Sequence, residues 1–380
     1  MTAALDDRFG PFDGNVWLNC AHQGPLPFPA RDAALDAVAA KVIPATIADE
    51  AFTEVPDRLR GALARLIGAD VDDVLLTNST SYTLNVVAQG LSWQEGDEVV
   101  CVAGDFPATV VPWRALESKG VRVKLIGDGD GRVDAEAVSA AIGPRTRVVC
   151  LSWVFSFFGH AVDIASISRV CRERGVWCVV NASQAVGARP LNVESLDIDA
   201  LACCGFKWLC GPYATGFGWL RPDLRARLDY PQPHWLRAQT SRGLNRALDY
   251  SMPDERTASA FDVFCNANFF NFAPLTAAVA MLGDISIERI AAHDQQLIDE
   301  LIASLDGSKY ELLSPPSGEQ RSTLVYLSHQ DPPANERVAE GLRQRRISIA
   351  EREGRLRVAP HLYNSSEDIA RLLEALKELQ

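Results

Sequence analysis

The chain predicts an α/β protein: a large domain built on a mostly parallel seven-stranded sheet, then a smaller α+β domain at the C-terminal end. Three observations carry this expectation. Short apolar runs alternate with longer amphipathic ones, the pattern of parallel strands joined by crossover helices. Prolines 44, 56, 107 and 144 fall at segment edges, where the missing N–H does least harm. At 380 residues the chain is longer than a single core usually organises, which favours one large and one smaller unit.

In chain order, strands are expected at Val74–Thr77, Glu98–Val102, Arg122–Ile126, Arg147–Leu151, Trp177–Val180, Ala200–Cys203 and Gly216–Leu220. Each is a short, mostly apolar run. Helices are expected between them at Ser81–Gly90, Thr109–Lys119, Ala135–Ile142 and Ile164–Arg174. From Tyr230 to Thr257 the chain is rich in Pro, Arg and polar residues without periodicity, which reads as an excursion from the sheet. One long helix follows, roughly Pro274 to Leu305. Strands in "ELLSP", "STLVYLS" and "LRVAPHL" then interleave with helices, and Ser366–Leu379 closes the chain as an amphipathic helix. There is no internal repeat.

Composition excludes several classes. A net charge of −12 argues against a nucleic-acid partner, which needs a basic surface. The start "MTAALDDRFG" has no basic n-region and no apolar h-region, and no run is long and apolar enough for a bilayer. The nine cysteines are odd in number, lie mostly in apolar runs and show no paired C-x-x-C spacing, so they read as buried hydrophobes in a reducing cytoplasm, with no metal site.

The most specific stretch is "CCGFKWLCGPYATGFGW", Cys203 to Trp219, with Lys207 at its centre. With Trp208, Leu209, Gly211, Pro212 and Gly216-x-Gly218, its setting resembles the Schiff-base lysine of the class V aminotransferase family of pyridoxal 5′-phosphate (PLP) enzymes. That family includes cysteine desulfurases and isopenicillin N epimerases. The resemblance runs from Trp17 to the last helix. It implies fold type I, a PLP cofactor bound to Lys207, and a homodimer with shared active sites. It also implies an N-terminal segment (1–30) that packs on the small domain and lines the site, a PLP-binding domain (31–257), and a C-terminal domain (258–380) with a connecting helix. A lysine amine suits an aldehyde cofactor, because a substrate amine can displace it directly.

"VLLTNSTSYTLNVVAQGL" is a strand running into a helix that opens with hydroxyl residues, an anion-binding start. Capping explains one hydroxyl but hardly the cluster. The resemblance places the cofactor phosphate on Thr80 and Ser81. It lays Phe106, in "GDFPATVVPW", over the cofactor ring, although a Phe beside Pro also suits a core. Where the family has an aspartate for the ring nitrogen, this chain has Asn181; Gln184 is retained and is expected on the ring oxygen. A neutral amide donates N–H to an unprotonated nitrogen and makes the ring a shallower electron sink. That favours expulsion of a good β-leaving group over chemistry needing a long-lived carbanion; a decayed site is the competing reading.

Cys204-Gly205-Phe206-Lys207 lacks two of the family's usual phosphate donors, which shifts the grip to Thr80 and Ser81 and to Asn266 or Asn268 of the other chain. On the substrate side, Arg357 in "EGRLRVAPHLYN" falls on the arginine that clamps the α-carboxylate. "WLNCAHQGPLP" brings Asn19 and His22 to the substrate mouth, His22 reading more as a hydrogen-bonded structural residue than as an acid or base, and His361 likewise. Trp153, Phe155, Phe157 and Phe158 suggest an apolar wall. Desulfurases carry a catalytic cysteine shortly before the carboxylate arginine; here the stretch is "RQRRISIAEREGR" and no cysteine follows Cys265.

The expected function is therefore a PLP-dependent lyase that cleaves the C–S bond of an amino acid or cysteine conjugate by β-elimination, in secondary metabolism such as antibiotic biosynthesis. Two alternatives stand beside it: an epimerase, decarboxylase or aminotransferase of the isopenicillin N epimerase-like branch, and a catalytically retired binding protein.

Overall fold

The computed structural model describes residues 2–229, 257–264, 267–305 and 307–379. In chain order the strands are β1 (Val16–Trp17), β2 (Val74–Thr77), β3 (Glu98–Val102), β4 (Arg122–Ile126), β5 (Thr146–Ser152), β6 (Trp177–Asn181), β7 (Ala200–Cys204), β8 (Gly216–Leu220), β9 (Tyr310–Leu312), β10 (Val325–His329), β11 (Ile347–Ser348), β12 (Ala350–Arg352) and β13 (Arg355–Val358). The large sheet has seven strands in the order β2-β8-β7-β6-β5-β3-β4. β8 runs antiparallel to both neighbours, and the remaining pairs are parallel.

Its central strands are buried on both faces, hence their near-continuous apolar runs. Along β3, Val100 and Val102 enter one core while Val99 and Cys101 enter the other; β6 divides Cys178 and Val180 from Val179 in the same way. β4 is the edge strand, and its exposed Arg122 and Lys124 suit an edge that must not pair further. A buried ion pair ties the far edge: Arg60 meets Asp262 at 2.6 Å, and Asp262 also accepts the Leu76 N–H at 2.8 Å.

A second sheet, β12-β13-β10-β9, forms the small unit with its own core of Leu327, Leu356, Val358, Val338 and Leu372. The N-terminal segment joins this unit, since β1 pairs parallel with β11 and Asn19 bridges to Ala359.

Several expectations on elements need correction. The single helix expected from Pro274 to Leu305 is two helices, Phe269–Ile285 and Ile287–Ala303, bent 79° apart. Ser286 breaks them with φ of 75° and caps the second by accepting the Arg289 N–H. Gly283 lies in the last turn of the first helix, but the positive φ falls on Ser286, and the apolar periodicity reads across the break. Pro56 is not at an edge: it lies inside the helix Ala51–Ile67, in its second turn. The helix expected from Thr109 starts at Pro107, with proline in the first turn, and tightens into a 3₁₀ segment over Ala115–Lys119. The helices Phe28–Val42 and Ala51–Ile67 were not foreseen. Apart from its last residue, Thr257, the excursion lies outside the described residues.

Among the described residues no single helix is long and apolar enough to cross a membrane; only the bent pair passes jointly. The eight described cysteines are all free and buried.

Candidate active site

The C-terminal ends of parallel strands converge on a cavity of about 420 Å³, where open α/β sheets bind ligands. β2 leads to Ser79, Thr80 and Ser81, β3 to Phe106, β5 to Ser156 and Phe157, β6 to Asn181, Ser183 and Gln184, and β7 to Cys204, Phe206 and Lys207. Ala21 and His22 come from the N-terminal segment, and Arg352 and Arg357 from the small sheet.

Lys207 sits in the turn after β7, its Nζ 5.5 Å from the centroid of the Phe106 ring. Two close approaches shape that turn. A Cβ on Gly205 would meet Thr215 Oγ1 at 2.3 Å, and one on Gly24 would meet the Lys207 carbonyl oxygen at 2.2 Å. Phe106 stacks on Phe157, centroids 6.0 Å apart. Of the four aromatic residues expected as an apolar wall, only Phe157 faces this cavity. Trp153 and Phe155 are buried in the large core, and Phe158 lines a different cavity beside Arg132 and Leu313.

The helix Thr80–Gly90 opens on the cavity. Ser79 caps it by accepting the Tyr82 N–H, and Thr80 Oγ1 lies 2.6 Å from Ser183 Oγ. The N–H groups of Thr80 and Ser81 precede the first helical bond, so the start can receive an anion. Ser183 escaped the sequence reading, although it stands in the "NASQ" run beside two residues that did not.

Asn181 is locked by its neighbours. The Ser183 N–H, an obligate donor, points at Asn181 Oδ1 at 3.1 Å, so Nδ2 is the atom facing Thr109 Oγ1 at 2.9 Å. Thr109 Oγ1 then lies 3.2 Å from Ser152 Oγ, which donates to Asp105 Oδ1 at 2.6 Å. Proton directions along this chain run from Asn181 through two hydroxyls to the buried Asp105 carboxyl. Burial pushes that carboxyl up to about 6, against hydrogen bonds from the Ser152 hydroxyl and the Ser152 and Phe106 N–H groups. Gln184 is also fixed: its Oε1 accepts the Trp208 indole N–H at 2.7 Å, and Nε2 donates to Ala21 O at 3.0 Å and more weakly to Ser156 Oγ at 3.4 Å.

Arg357 is 4% exposed. Its Nη2 donates to Asn19 Oδ1 at 3.3 Å and Nη1 to Ser156 O at 3.5 Å, while Nε has no partner. Burial lowers its pKa from the ordinary guanidinium value. Asn19 thus acts on the site by holding Arg357, not by lining the cavity. His22 was expected as a hydrogen-bonded structural residue. Instead it is exposed at the cavity, and among the described residues its ring makes no hydrogen bond. Partial desolvation at the cavity mouth, then the positive charges of Arg352, Arg357 and Lys207, hold its imidazole below the ordinary range. His361 is structural, with Nδ1 on Asp294 at 2.8 Å and Nε2 on the Trp208 carbonyl at 3.1 Å.

Asn268 is not brought to this cavity. It stands at the N-cap position of Phe269–Ile285 without a side-chain capping hydrogen bond, and lines a separate apolar groove with Phe52, Phe264 and Phe270. Asn266 lies outside the described residues. Arg352 was missed, hidden in the charged run "EREGR".

The cavity therefore offers a lysine amine without an ion-pair partner among the described residues, an aromatic wall, a helix start with hydroxyls, and a buried guanidinium with an unpartnered Nε. That set fits a planar aldehyde carrying a phosphate, together with an amino-acid carboxylate.

The sequence matches the aminotransferase class-V family over residues 41–372. A probable cysteine desulfurase of Methanothermobacter thermautotrophicus is 27% identical over 341 residues, 84% of this chain and 82% of the relative. Among solved structures, a cystine C–S lyase in complex with its product cysteine persulfide superposes with a TM-score of 0.86 at 23% identity, covering 96% of this chain and 97% of the other. A cysteine desulfurase from Thermococcus onnurineus gives 0.83 at 20% identity, covering 97% and 95%.

Proposed function

The chain belongs to the class-V aminotransferase family, whose members use PLP, and from that premise we propose that it is a lyase cleaving the Cβ–S bond of an amino acid or cysteine conjugate. The observation that carries the reading is Asn181, a neutral amide lining the cavity whose Oδ1 accepts the Ser183 N–H and whose Nδ2 gives one of its two N–H groups to Thr109, which leaves the second N–H for the cavity. A neutral donor at that position leaves a ring nitrogen unprotonated, so electron density released at Cα passes most readily to a leaving group on Cβ.

Bound in the cavity, the cofactor supplies an aldehyde carbon for the substrate amine and a ring that accepts electron density from Cα. The residues do the rest. Arg357, oriented by Asn19 and the Ser156 carbonyl, holds the α-carboxylate and turns the Cα–H bond toward Lys207. Lys207 Nζ takes the Cα proton, the Cβ–S bond breaks with its electron pair on sulfur, and a proton returns to the thiolate. The stacked Phe106 and Phe157 would give the cofactor ring an apolar wall. The remaining three-carbon fragment hydrolyses to pyruvate and ammonia.

The absence of any cysteine after Cys265 favours this outcome over persulfide-forming desulfuration, despite the names of the relatives. A homodimer completing the cofactor site through Asn268 belongs to the same reading. The test is incubation of the holoenzyme with S-methylcysteine. Equal amounts of pyruvate and methanethiol are expected, with none from Lys207→Ala and a pyridoxyl group on Lys207 after hydride reduction. No keto acid and no thiol from any S-substituted cysteine overturns the assignment.

A further inference from the structure

Strand pairing puts three arginines on one face of the small sheet. β12 and β13 are antiparallel, with Arg352 opposite Arg355 and Ala350 opposite Arg357. Opposed and alternate residues share a face, so Arg352, Arg355 and Arg357 lie together while Leu356 enters the small core on the other side. Like charges directly opposed are unfavourable, and among the described residues none of the three guanidiniums forms an ion pair.

Two of them have other contacts. Arg355 lies 5.1 Å over the Phe158 ring, and Arg357 donates to Asn19 and the Ser156 carbonyl. Arg352 lines the cavity with one hydrogen bond, to the backbone oxygen of Glu351 at 2.9 Å. The cavity lining includes Lys207, Arg352, Arg357 and His22 but no Asp or Glu. Lys207 serves the amine chemistry, and Arg357 suits the α-carboxylate. Thr80, Ser81 and Ser183, which suit the phosphate, come from the large sheet rather than from the arginine face. One positive charge on the substrate side is left over.

We propose that Arg352 binds a second anionic group at the far end of the substrate side chain, so that the substrate is an amino acid with a distal carboxylate or sulfonate. Diagonal neighbours on an antiparallel pair stand roughly 7–8 Å apart, a span that a short thioether chain bridges. The reading rests on the lyase assignment only for what happens after binding.

The holoenzyme is therefore tested with an unreactive pair, glutarate against butanoate, which differ by one carboxylate. Affinities are read from the visible absorbance of the bound cofactor and by calorimetry. Glutarate is expected to bind at least ~10-fold more tightly in the wild type, as a charge-assisted guanidinium contact implies. Arg352→Met should bring the ratio to about 1 without changing butanoate or PLP affinity, and Arg352→Lys should restore part of it. Equal binding of the two acids by the wild type overturns the proposal. So does an Arg352→Met variant that weakens PLP, or both acids alike. In a second arm, pyruvate formation from S-carboxymethylcysteine should exceed that from S-methylcysteine in kcat/KM, and Arg352→Met should erase the difference. Glutarate selectivity without pyruvate from either thioether removes the lyase assignment and leaves the second anion site standing.

Discussion

Asn181 is fixed at both ends of its amide. Its oxygen is committed to the Ser183 N–H and its nitrogen to Thr109, with Ser152 and Asp105 behind. Thr109→Val keeps the shape but removes the acceptor for Asn181 Nδ2. A buried donor left without a partner costs about 1–3 kcal/mol, so urea unfolding should show a loss in that range with an unchanged far-ultraviolet spectrum. A Thr109→Val protein as stable as wild type would mean the hydroxyl chain does not hold the amide. The sequence exposed the Asn181 substitution itself, because it stands in a recognisable run. It did not expose Thr109, Ser152 or Asp105, whose contacts with Asn181 span 72 residues for Thr109 and reach Asp105 only through strand β5.

At the scale of elements, the buried His361–Asp294 pair joins the helix Ile287–Ala303, the segment after β13 and the turn carrying Lys207 through the Trp208 carbonyl. Burial alone lowers the His361 imidazole, but the Asp294 carboxylate outweighs it and pushes the pKa up to about 9, above the ordinary 6.5. The folded state thus binds this proton more tightly than the unfolded one. Its stabilisation is present in full below pH 6.5 and is lost as pH rises through about 9. Asp294→Asn removes the counter-charge, so unfolding free energies measured between pH 7 and 9 should fall less steeply than in wild type. Parallel slopes for the two proteins would refute the linkage. Element positions in the large sheet were legible, since a buried parallel strand needs a continuous apolar run. The break at Ser286 was not, because nothing in its side chain announces a positive φ.

For the molecule as a whole, the separate groove around Asn268 is apolar and open, with Phe264 57% and Phe270 48% exposed. Aromatic area of that kind on a surface marks an interface. Within the proposed homodimer this groove is covered by the second chain, so light scattering at micromolar concentration should give twice the chain mass. Phe264→Asp should shift the protein toward monomer and weaken PLP binding together. A wild-type monomer that binds PLP tightly would detach the groove from the site.

The sequence by itself determined the seven strands of the large sheet in chain order, the helices between them and the family, because these depend on local periodicity and on short runs of residues. Tertiary structure alone decided which aromatic residues face the cavity, which atom of Asn181 is turned to its neighbours, and that Arg352 stands beside Arg357. Those facts depend on strand register and on contacts between segments far apart in the chain. A single unaligned sequence carries no local signal for either.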